Sequence, residues 1–188
     1  SVLSAVLLVS VVLSTGGCGV ALVTAATVLT IDVVRDRREP RTYWDDIKAE
    51  IDIRRSVANA NDIDDANVSV TIWNGIVLLT GEVPSQRNID TILDIAKSHN
   101  HSRQVINRIE LAGRTNLTSR ANDSWLTARV KTALAASGTL DATKFKVVTE
   151  RANVYLMGLV TTAEAAAAVD IVRTVPGVVR VIKVFEYI

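Results

Sequence analysis

The sequence is poor in the residue types on which several common kinds of protein depend. It contains one cysteine, Cys18, so no intramolecular disulfide can form and a buried core must hold the fold. Aromatic residues make up only 4% of the chain, and 21 Lys and Arg stand against 20 Asp and Glu. A formal net charge of +1 argues against a nucleic-acid-binding protein that works through overall basicity. The first 31 positions contain no charged residue, whereas the remainder has the composition of an ordinary globular protein.

The uncharged N-terminal segment is interpreted as a secretion signal. Residues 2–13 form a short apolar block, and four small residues then lead to Cys18, as in a signal with a processing site. A cysteine directly after such a site resembles the bacterial lipoprotein signal, which implies that Cys18 is the lipid attachment site and that residues 1–17 are removed. Thr15 stands where that signal usually carries an aliphatic residue, and no basic residues or initiator Met precede the block, so we expect the signal to be truncated at its start. The alternatives are an uncleaved membrane anchor and a cysteine with no special role.

Residues 18–42 are predicted to be a lipidated anchor and linker. Gly19 follows the cysteine where Asp would redirect sorting, so the resemblance implies the outer membrane, in its inner leaflet facing the periplasm. Lipoproteins of this type usually carry three acyl chains, and stable attachment needs more than one. The stretch "DVVRDRREPR" then reads as a solvated linker. The alternative is a polybasic collar drawn to anionic headgroups, but three acids dilute its positive charge.

Beyond this linker the chain repeats itself. Residues 43–112 and residues 122–188 each read helix, strand, turn, strand, helix, strand, and the polar residues 113–121 link them. This order predicts an α+β protein of two tandem αββαβ domains, each a three-stranded mixed sheet covered by two helices. Asn74-Gly75 lies between alternating β-branched runs and predicts a tight hairpin. In the second copy Arg151-Ala152 has weaker turn chemistry, so we expect a longer or strained loop there.

The hairpin sequences carry a family resemblance. "NGIVLLTGEV" and "ANVYLMGLV", each followed by a helix and a Val-rich strand, resemble the BON domain, an αββαβ module of bacterial envelope proteins. Gly81 and Gly158 match the glycine of the family's second strand, and Gly177 matches its glycine before the last strand, where the first copy has His101. Two copies behind a lipoprotein-like cysteine resemble the dual BON-domain outer-membrane lipoproteins.

That resemblance implies a protein that is not an enzyme and needs no cofactor. Its implied partners are the outer membrane and anionic phospholipids (phosphatidylglycerol and cardiolipin), bound through the first helix of the second domain. It also implies a role in envelope integrity at the division site. The alternative function is an adaptor for other envelope proteins, with no lipid recognition beyond the acyl anchor.

Helical periodicity gives this helix two faces. Over residues 125–137, Leu126, Val130 and Leu134, with Ala133 and Ser137, form one apolar face that we expect to pack on the sheet. A Trp with cations and small residues on the outer arc, and no acid, suits a membrane interface. The alternative for Trp125 is packing at the edge of the domain or on the other copy. The predicted phospholipid-binding residues are Trp125, Ala128, Arg129, Lys131, Thr132, Ala135 and Ala136.

The first copy has a different charge and is aligned through its own apolar residues. Matching Ile47 with Leu126, and Ile51 with Val130, places Asp46 at the position of Trp125. In that alignment Trp44 is predicted to pack in the core, and Arg54 falls on the core side. Residues 44–113 carry 7 Lys and Arg against 11 Asp and Glu, about −4, and residues 122–188 carry 8 against 6, about +2. Only the second copy suits an anionic surface.

No stretch of the sequence predicts a catalytic site. His99 and His101 could ligate a metal, but no cysteine or clear acidic partner accompanies them, and a solvated loop is the preferred interpretation. Residues 62–65, "DIDD", lack the glycine and final glutamate of a calcium loop. Cys18 has no neighbouring cation or His to activate its thiol. A weak hydrolase or metal protein therefore remains only as an alternative, dependent on the two histidines.

Overall fold

Each copy folds as a helix, a two-stranded hairpin, a second helix and a final strand. The computed structural model describes residues 36–61, 63, 66–113 and 117–188, so Cys18, the predicted signal and most of the predicted linker lie outside the described residues. The first copy contains α1 (Pro40–Ala58), β1 (Asn67–Trp73), β2 (Ile76–Val83), α2 (Gln86–Ser98) and β3 (Gln104–Leu111). The second contains α3 (Leu117–Ala136), β4 (Lys146–Glu150), β5 (Asn153–Val160), α4 (Thr162–Val172) and β6 (Arg180–Tyr187), with a 3₁₀ turn (Ala142–Lys144) before β4.

The predicted α+β class and the αββαβ order are confirmed. In each sheet the middle strand pairs antiparallel with its hairpin partner and parallel with the final strand, in the orders β1-β2-β3 and β4-β5-β6. The hairpin alternation is as predicted, since Val70 pairs with Leu79 and Ile72 with Val77. Both first helices begin before the predicted positions, and α3 takes in part of the stretch 113–121 that was predicted to be a linker.

The two helices of each copy cover one face of its sheet. Their buried side chains meet those of the middle strand, as Ile53 and Ile92 meet Leu79 in the first copy and Val130 and Ala168 meet Leu156 in the second. The second helices start at capped ends: Ser85 accepts from the backbone N–H of Asn88, and Thr161 forms a capping box with Glu164. These contacts give each copy a core of its own.

The other faces of the two sheets pack against each other. Trp73, Ile76 and Leu78 of the first copy form one buried cluster with Tyr155 and Met157 of the second. Because every residue of β2 is buried, this strand has apolar neighbours on both sides. The result is a four-layer arrangement, helices, sheet, sheet, helices, in which the two helical layers lie on opposite outer faces. Residues Arg37–Ile188 form one compact unit that contains all three clusters.

Two arginines just before α1 tie their segment to both copies. Arg37 donates to both carboxylate oxygens of Glu164, at 2.6 and 2.9 Å, and to the carbonyl of Leu159. Arg38 is buried and donates to Asp46 at 2.6 Å, with its guanidinium 3.7 Å from the ring centroid of Trp73. The Arg37 hydrogen bonds, helped by Thr161 and Lys144, lower the pKa of the Glu164 carboxyl to about 2.

The second hairpin is as tight as the first despite lacking glycine and asparagine. Arg151 and Ala152 have φ of 48° and 60°, close to the 51° and 74° of Asn74 and Gly75. The prediction of strain is therefore correct, and the longer loop is not found. The Asp123 carboxylate accepts from the backbone N–H groups of Arg151 and Ala152, both at 2.8 Å, and so holds the turn in a conformation that L residues disfavour.

Replacing Ala152 by glycine is expected to stabilise residues 37–188 by about 0.5–1 kcal/mol, because glycine adopts this φ without a Cβ clash while its freer unfolded chain offsets part of the gain. Urea denaturation at neutral pH measures this difference. The control is Ala166→Gly at an exposed position of α4, where the same replacement should cost about 1 kcal/mol. Equal destabilisation by both variants would contradict the assignment of strain to the turn.

An acidic cluster lies beside this turn, where the two copies meet. Burial raises the pKa of the Glu150 carboxyl to about 7, with the Glu82 and Asp123 carboxylates as further causes, against the opposing effect of Arg151 and Arg120. Arg151 reaches into the first copy as well, since it pairs with Glu110 and lies 3.5 Å from the buried Glu82. Between about pH 4.5 and pH 7 the folded protein therefore keeps a proton on Glu150 that the unfolded chain releases.

Replacing Glu150 by glutamine is expected to stabilise the protein at pH 8 and to have little effect at pH 4. The folded carboxyl holds its proton up to about pH 7, whereas the unfolded one releases it near 4.5, so the wild type loses stability as the pH rises between these values. Glutamine removes this loss, which we expect to be about 1 kcal/mol because the partly exposed site is screened by solvent. Thermal unfolding of both proteins at the two pH values is the measurement, and a difference that is the same at both would rule out the titration.

Candidate functional site

Most of the predicted lipid-binding residues lie on the outward face of α3. Trp125 is 56% exposed, and Ala128, Lys131, Thr132, Ala135 and Ala136 are exposed with it, while Arg129 is half-buried. Leu126, Val130 and Leu134 are fully buried against the sheet, so the predicted packing face is correct. The helix therefore turns its Trp and its small residues away from the core.

A groove runs between this helix and the turn that precedes β6. It has a volume of about 470 Å³. Five of the seven predicted residues line it, whereas Lys131 and Ala135 lie on the same outer arc but outside the groove. The lining residues are Trp125, Ala128, Arg129, Thr132, Ala133 and Ala136 on α3, with Thr174, Val175 and Pro176 from the turn.

The turn residues were missed in the sequence. Pro176 is joined to the helix by a hydrogen bond, since Arg129 Nη1 donates to its carbonyl at 3.2 Å. This contact spans 47 positions, so periodicity along the helix could not reveal it. The sequence clue to this turn is Gly177, which follows it directly. In the structure Gly177 has φ of 99°, an angle that glycine adopts readily and that is typical of a sharp reversal of the chain.

The polar groups of the groove are few and are held in place. The guanidinium of Arg129 lies 4.5 Å from the centroid of the Trp125 ring, a cation–π arrangement that orients both side chains. Thr132 donates its hydroxyl hydrogen to the carbonyl of Ala128 at 2.9 Å, which leaves the oxygen only an acceptor role. The groove thus offers an apolar wall, an indole ring and one cation at its rim.

The corresponding helix of the first copy is rotated relative to the sequence alignment. Asp46 is 2% exposed, and it accepts from the backbone N–H groups of Asn74 and Gly75, as Asp123 does from the equivalent turn. Asp46 therefore corresponds to Asp123, not to Trp125, and the expected match was wrong. The reason is that Ala49 and Ile53 pack on the sheet, whereas Ile47 and Ile51, which the alignment had used, are 39% and 48% exposed.

Two further expectations fail with that alignment. Trp44 does not pack in the core: it is 56% exposed and stacks edge-on against Tyr43. Arg54 lies at the edge of the core and is not buried in it, since its guanidinium pairs with Glu50 at 2.8 Å and donates to the Val70 carbonyl of β1 at 3.4 Å, and the helix continues past it to Ala58. In the corrected alignment Lys48 stands at the position of Trp125, and Asp52 at that of Arg129.

Comparison with known proteins decides the family. The BON domain model matches residues 45–113 and residues 122–188, which together form most of the chain. The chain belongs to the BON-domain family. The first BON domain is the copy that contains α1, and the second is the copy that contains α3.

The chain is similar in sequence to an outer membrane lipoprotein and to a hemolysin. The outer membrane lipoprotein DolP of Haemophilus influenzae is 35% identical over 173 residues, which cover 92% of this chain and 89% of that protein. The 21 kDa hemolysin of Actinobacillus pleuropneumoniae is 33% identical over 125 residues, 66% of this chain and 64% of that protein. Among solved structures, the C-terminal domain of CdsD, a structural protein of the type III secretion system of Chlamydia trachomatis, has a TM-score of 0.31 at 11% identity. It aligns with 73% of this chain and 96% of its own, and at that TM-score the likeness carries no argument.

The histidines of the first BON domain occupy the turn that corresponds to 174–176. They line a polar cavity of about 430 Å³ against α1, together with Asp45, Lys48 and Asp52. His101 Nε2 lies 2.6 Å from the buried Asp46 carboxylate, and the backbone N–H of His101 donates to His99 Nδ1 at 3.3 Å. Among the described residues no group of three or more His, Cys, Asp or Glu is arranged to hold a metal ion. These contacts give His101 a part in fixing α1 to the turn.

Within residues 36–61, 63, 66–113 and 117–188, no helix is both long enough and apolar enough to cross a membrane.

The exposure of Trp125 predicts that it contributes little to stability. Trp125→Ala is expected to lower the free energy of unfolding of residues 37–188 by about 0.5–1 kcal/mol, the loss of its contact with Arg129. Leu126→Ala, the adjacent buried position, should cost about 3 kcal/mol. Chemical denaturation compares the two, and a loss of equal size at Trp125 would show that this side chain supports the core instead of facing a ligand.

Proposed function

We propose that this chain is an outer-membrane lipoprotein that binds anionic phospholipid through the groove of its second BON domain. Cys18 is the lipid attachment site, and the acyl chains hold the protein in the inner leaflet, facing the periplasm. The protein is not an enzyme; it supports envelope integrity, and it does so at the division site. The likeness to an outer membrane lipoprotein over 92% of the chain supports the anchoring part of this proposal.

The observation that carries the lipid-binding part is the exposed Trp125 beside Arg129 at an otherwise apolar groove. Indole rings favour the depth of the lipid headgroups, where the ring meets apolar tails and the N–H meets water. A guanidinium at the same level can pair with phosphate. The alanines and Val175 that line the groove leave room for an acyl chain or glycerol backbone to approach the helix.

Charge supports an anionic headgroup over a zwitterionic one. Residues 122–188 carry 8 Lys and Arg against 6 Asp and Glu, a balance of about +2. Within residues 118–136 the single acid is Asp123, which is buried and bonded to the hairpin turn, so no carboxylate of this stretch faces outward. Lys131 adds an exposed cation beside the groove. Phosphatidylglycerol and cardiolipin, which carry net negative charge, therefore fit this surface.

An envelope adaptor is the second candidate function, favoured by the edge of the second sheet. Among the described residues the last strand, β6, pairs only with β5, so its outer backbone edge is open to another strand. Val179, Tyr187 and Ile188 expose apolar side chains at its two ends, with exposed fractions of 69%, 56% and 63%. An adaptor of this kind would bind protein through β6 and leave α3 without a ligand.

Flotation with liposomes tests the proposed function. Residues 37–188, the compact unit, are expected to float with phosphatidylglycerol vesicles and not with neutral ones. Trp125→Glu removes the indole and adds a negative charge, so binding through α3 should weaken about tenfold.

The matched control is Tyr187→Glu, because Tyr187 is an aromatic residue of the same exposed fraction, 56%, that does not line the groove. It should float like the wild type. Equal flotation of wild type and Trp125→Glu would clear α3 of a role in lipid binding. Loss of flotation only in Tyr187→Glu would move the binding surface to β6.

A further inference from the structure

The outward face of α1 in the first BON domain is apolar at its centre. Trp44, Ile47 and Ile51 follow one another at helical spacing, and their exposed fractions are 56%, 39% and 48%. Their arc is opposite the buried side of the helix, where Ala49, Ile53 and Val57 pack on the sheet. No described part of the fold needs this face for its own packing, since the core of the domain is complete beneath it.

Cations surround this apolar stripe. At about 100° per residue, Arg41, Lys48, Arg54 and Arg55 fall on the same outer arc of the helix. The acids of α1 lie at the margins of the arc, with Asp45 and Asp52 on one side and Glu50 on the other, and Asp46 is buried. All residues of α1 are described, and none of its carboxylates lies within the arc.

Three of the four cations have acidic neighbours, and Arg55 does not. Arg41 Nε is 3.6 Å from Asp45, and Arg54 pairs with Glu50 at 2.8 Å. Lys48 is exposed and lines a polar cavity with Asp45 and Asp52, whereas Arg55 is exposed and forms no ion pair with any residue that the structure describes. Counted with these three carboxylates, the four cations give the face a net charge of about +1, although residues 44–113 as a whole carry about −4 (7 Lys and Arg against 11 Asp and Glu).

We propose that this face of α1 is a second lipid-binding surface, directed at an anionic bilayer. A Trp and two isoleucines flanked by Lys and Arg form the pattern of a helix that lies in the headgroup region, with the apolar chains sunk and the cations on phosphate. Positive charge concentrated on one face of an otherwise acidic domain is the complement of an anionic surface. The inference rests on the proposed function only in taking the same class of ligand, because its residues belong to the other domain.

The order of the layers limits how the two surfaces can bind a membrane. Because the sheets pack against each other, α1 and α3 lie on opposite outer faces of the unit. One flat bilayer cannot contact both faces together, so the two surfaces bind independently. A protein with two opposed lipid surfaces can instead hold two bilayers side by side.

Flotation and vesicle clustering with residues 37–188 test this inference. Ile51→Glu places an acid at the centre of the stripe. We expect phosphatidylglycerol binding to weaken about twofold in the wild-type background, where α3 still binds, and about tenfold in the Trp125→Glu background, where α1 provides the remaining surface. The double variant should float no better than with neutral vesicles. The control is Ser56→Glu, which adds the same charge at an exposed position of α1 outside the arc. Circular dichroism and the thermal midpoint check that each variant is folded.

Clustering separates two surfaces from one. The wild type should raise the turbidity of anionic vesicles, and either Ile51→Glu or Trp125→Glu alone should abolish the rise, because bridging needs both faces. Flotation of Ile51→Glu equal to that of Ser56→Glu would overturn the inference, and so would complete loss of flotation in Trp125→Glu alone or flotation of the wild type without clustering. Full flotation of Trp125→Glu with loss in Ile51→Glu would uphold this surface and reject the one on α3.

Discussion

A buried aspartate that holds a hairpin turn determines the arrangement of each domain. Asp46 and Asp123 are 2% and 6% exposed, and each carboxylate accepts two backbone N–H groups from the turn of its own hairpin. A buried carboxylate without such donors would be costly, so the aspartate cannot turn outward without exposing the turn's N–H groups as well. Fixing one residue of a helix fixes its rotation. The positions three, seven and eleven residues further on must then face the sheet, and the opposite arc must face solvent.

This constraint explains why the fold could be predicted from the sequence and the rotation of α1 could not. The hairpins follow from alternating β-branched residues and the helices from their periodicity, both of which are local patterns. In α1 the exposed Ile47 and Ile51 are more apolar than the buried Ala49, so hydrophobicity alone selects the wrong stripe. The information was present in another form, because Asp46 precedes Gly75 by 29 positions and Asp123 precedes Ala152 by the same number. Equal spacing of a polar residue from two turns is a stronger guide to register than two matched isoleucines.

The candidate site, too, could be predicted from the sequence only in part. The α3 residues could be predicted because they share one helix, and in α3 the buried stripe is also the more apolar one. The turn at 174–176 could not, since its place beside the helix depends on the parallel crossover from β5 to β6. The packing of one sheet on the other could not be predicted from local patterns either. A hint was present, because Ile76 and Leu78 on one face of β2, and Tyr155 and Met157 on one face of β5, are more apolar than a solvent-exposed face usually is.

The two domains show how one scaffold can present different surfaces for the same kind of ligand. Between the first helix and the turn before the last strand, the second domain has Trp125, Arg129 and Pro176, while the first has Lys48, Asp52 and a pair of histidines. An aspartate at the place of the arginine repels a phosphate group, so the first domain's cavity is unsuited to anionic lipid. Its apolar side chains and the unpaired Arg55 lie instead about 60–100° further round the helix, where Trp44 and Ile51 are exposed. The aspartate–turn bond is common to both helices, and it allows this change because it fixes only the inner face and leaves the outer residues free to differ.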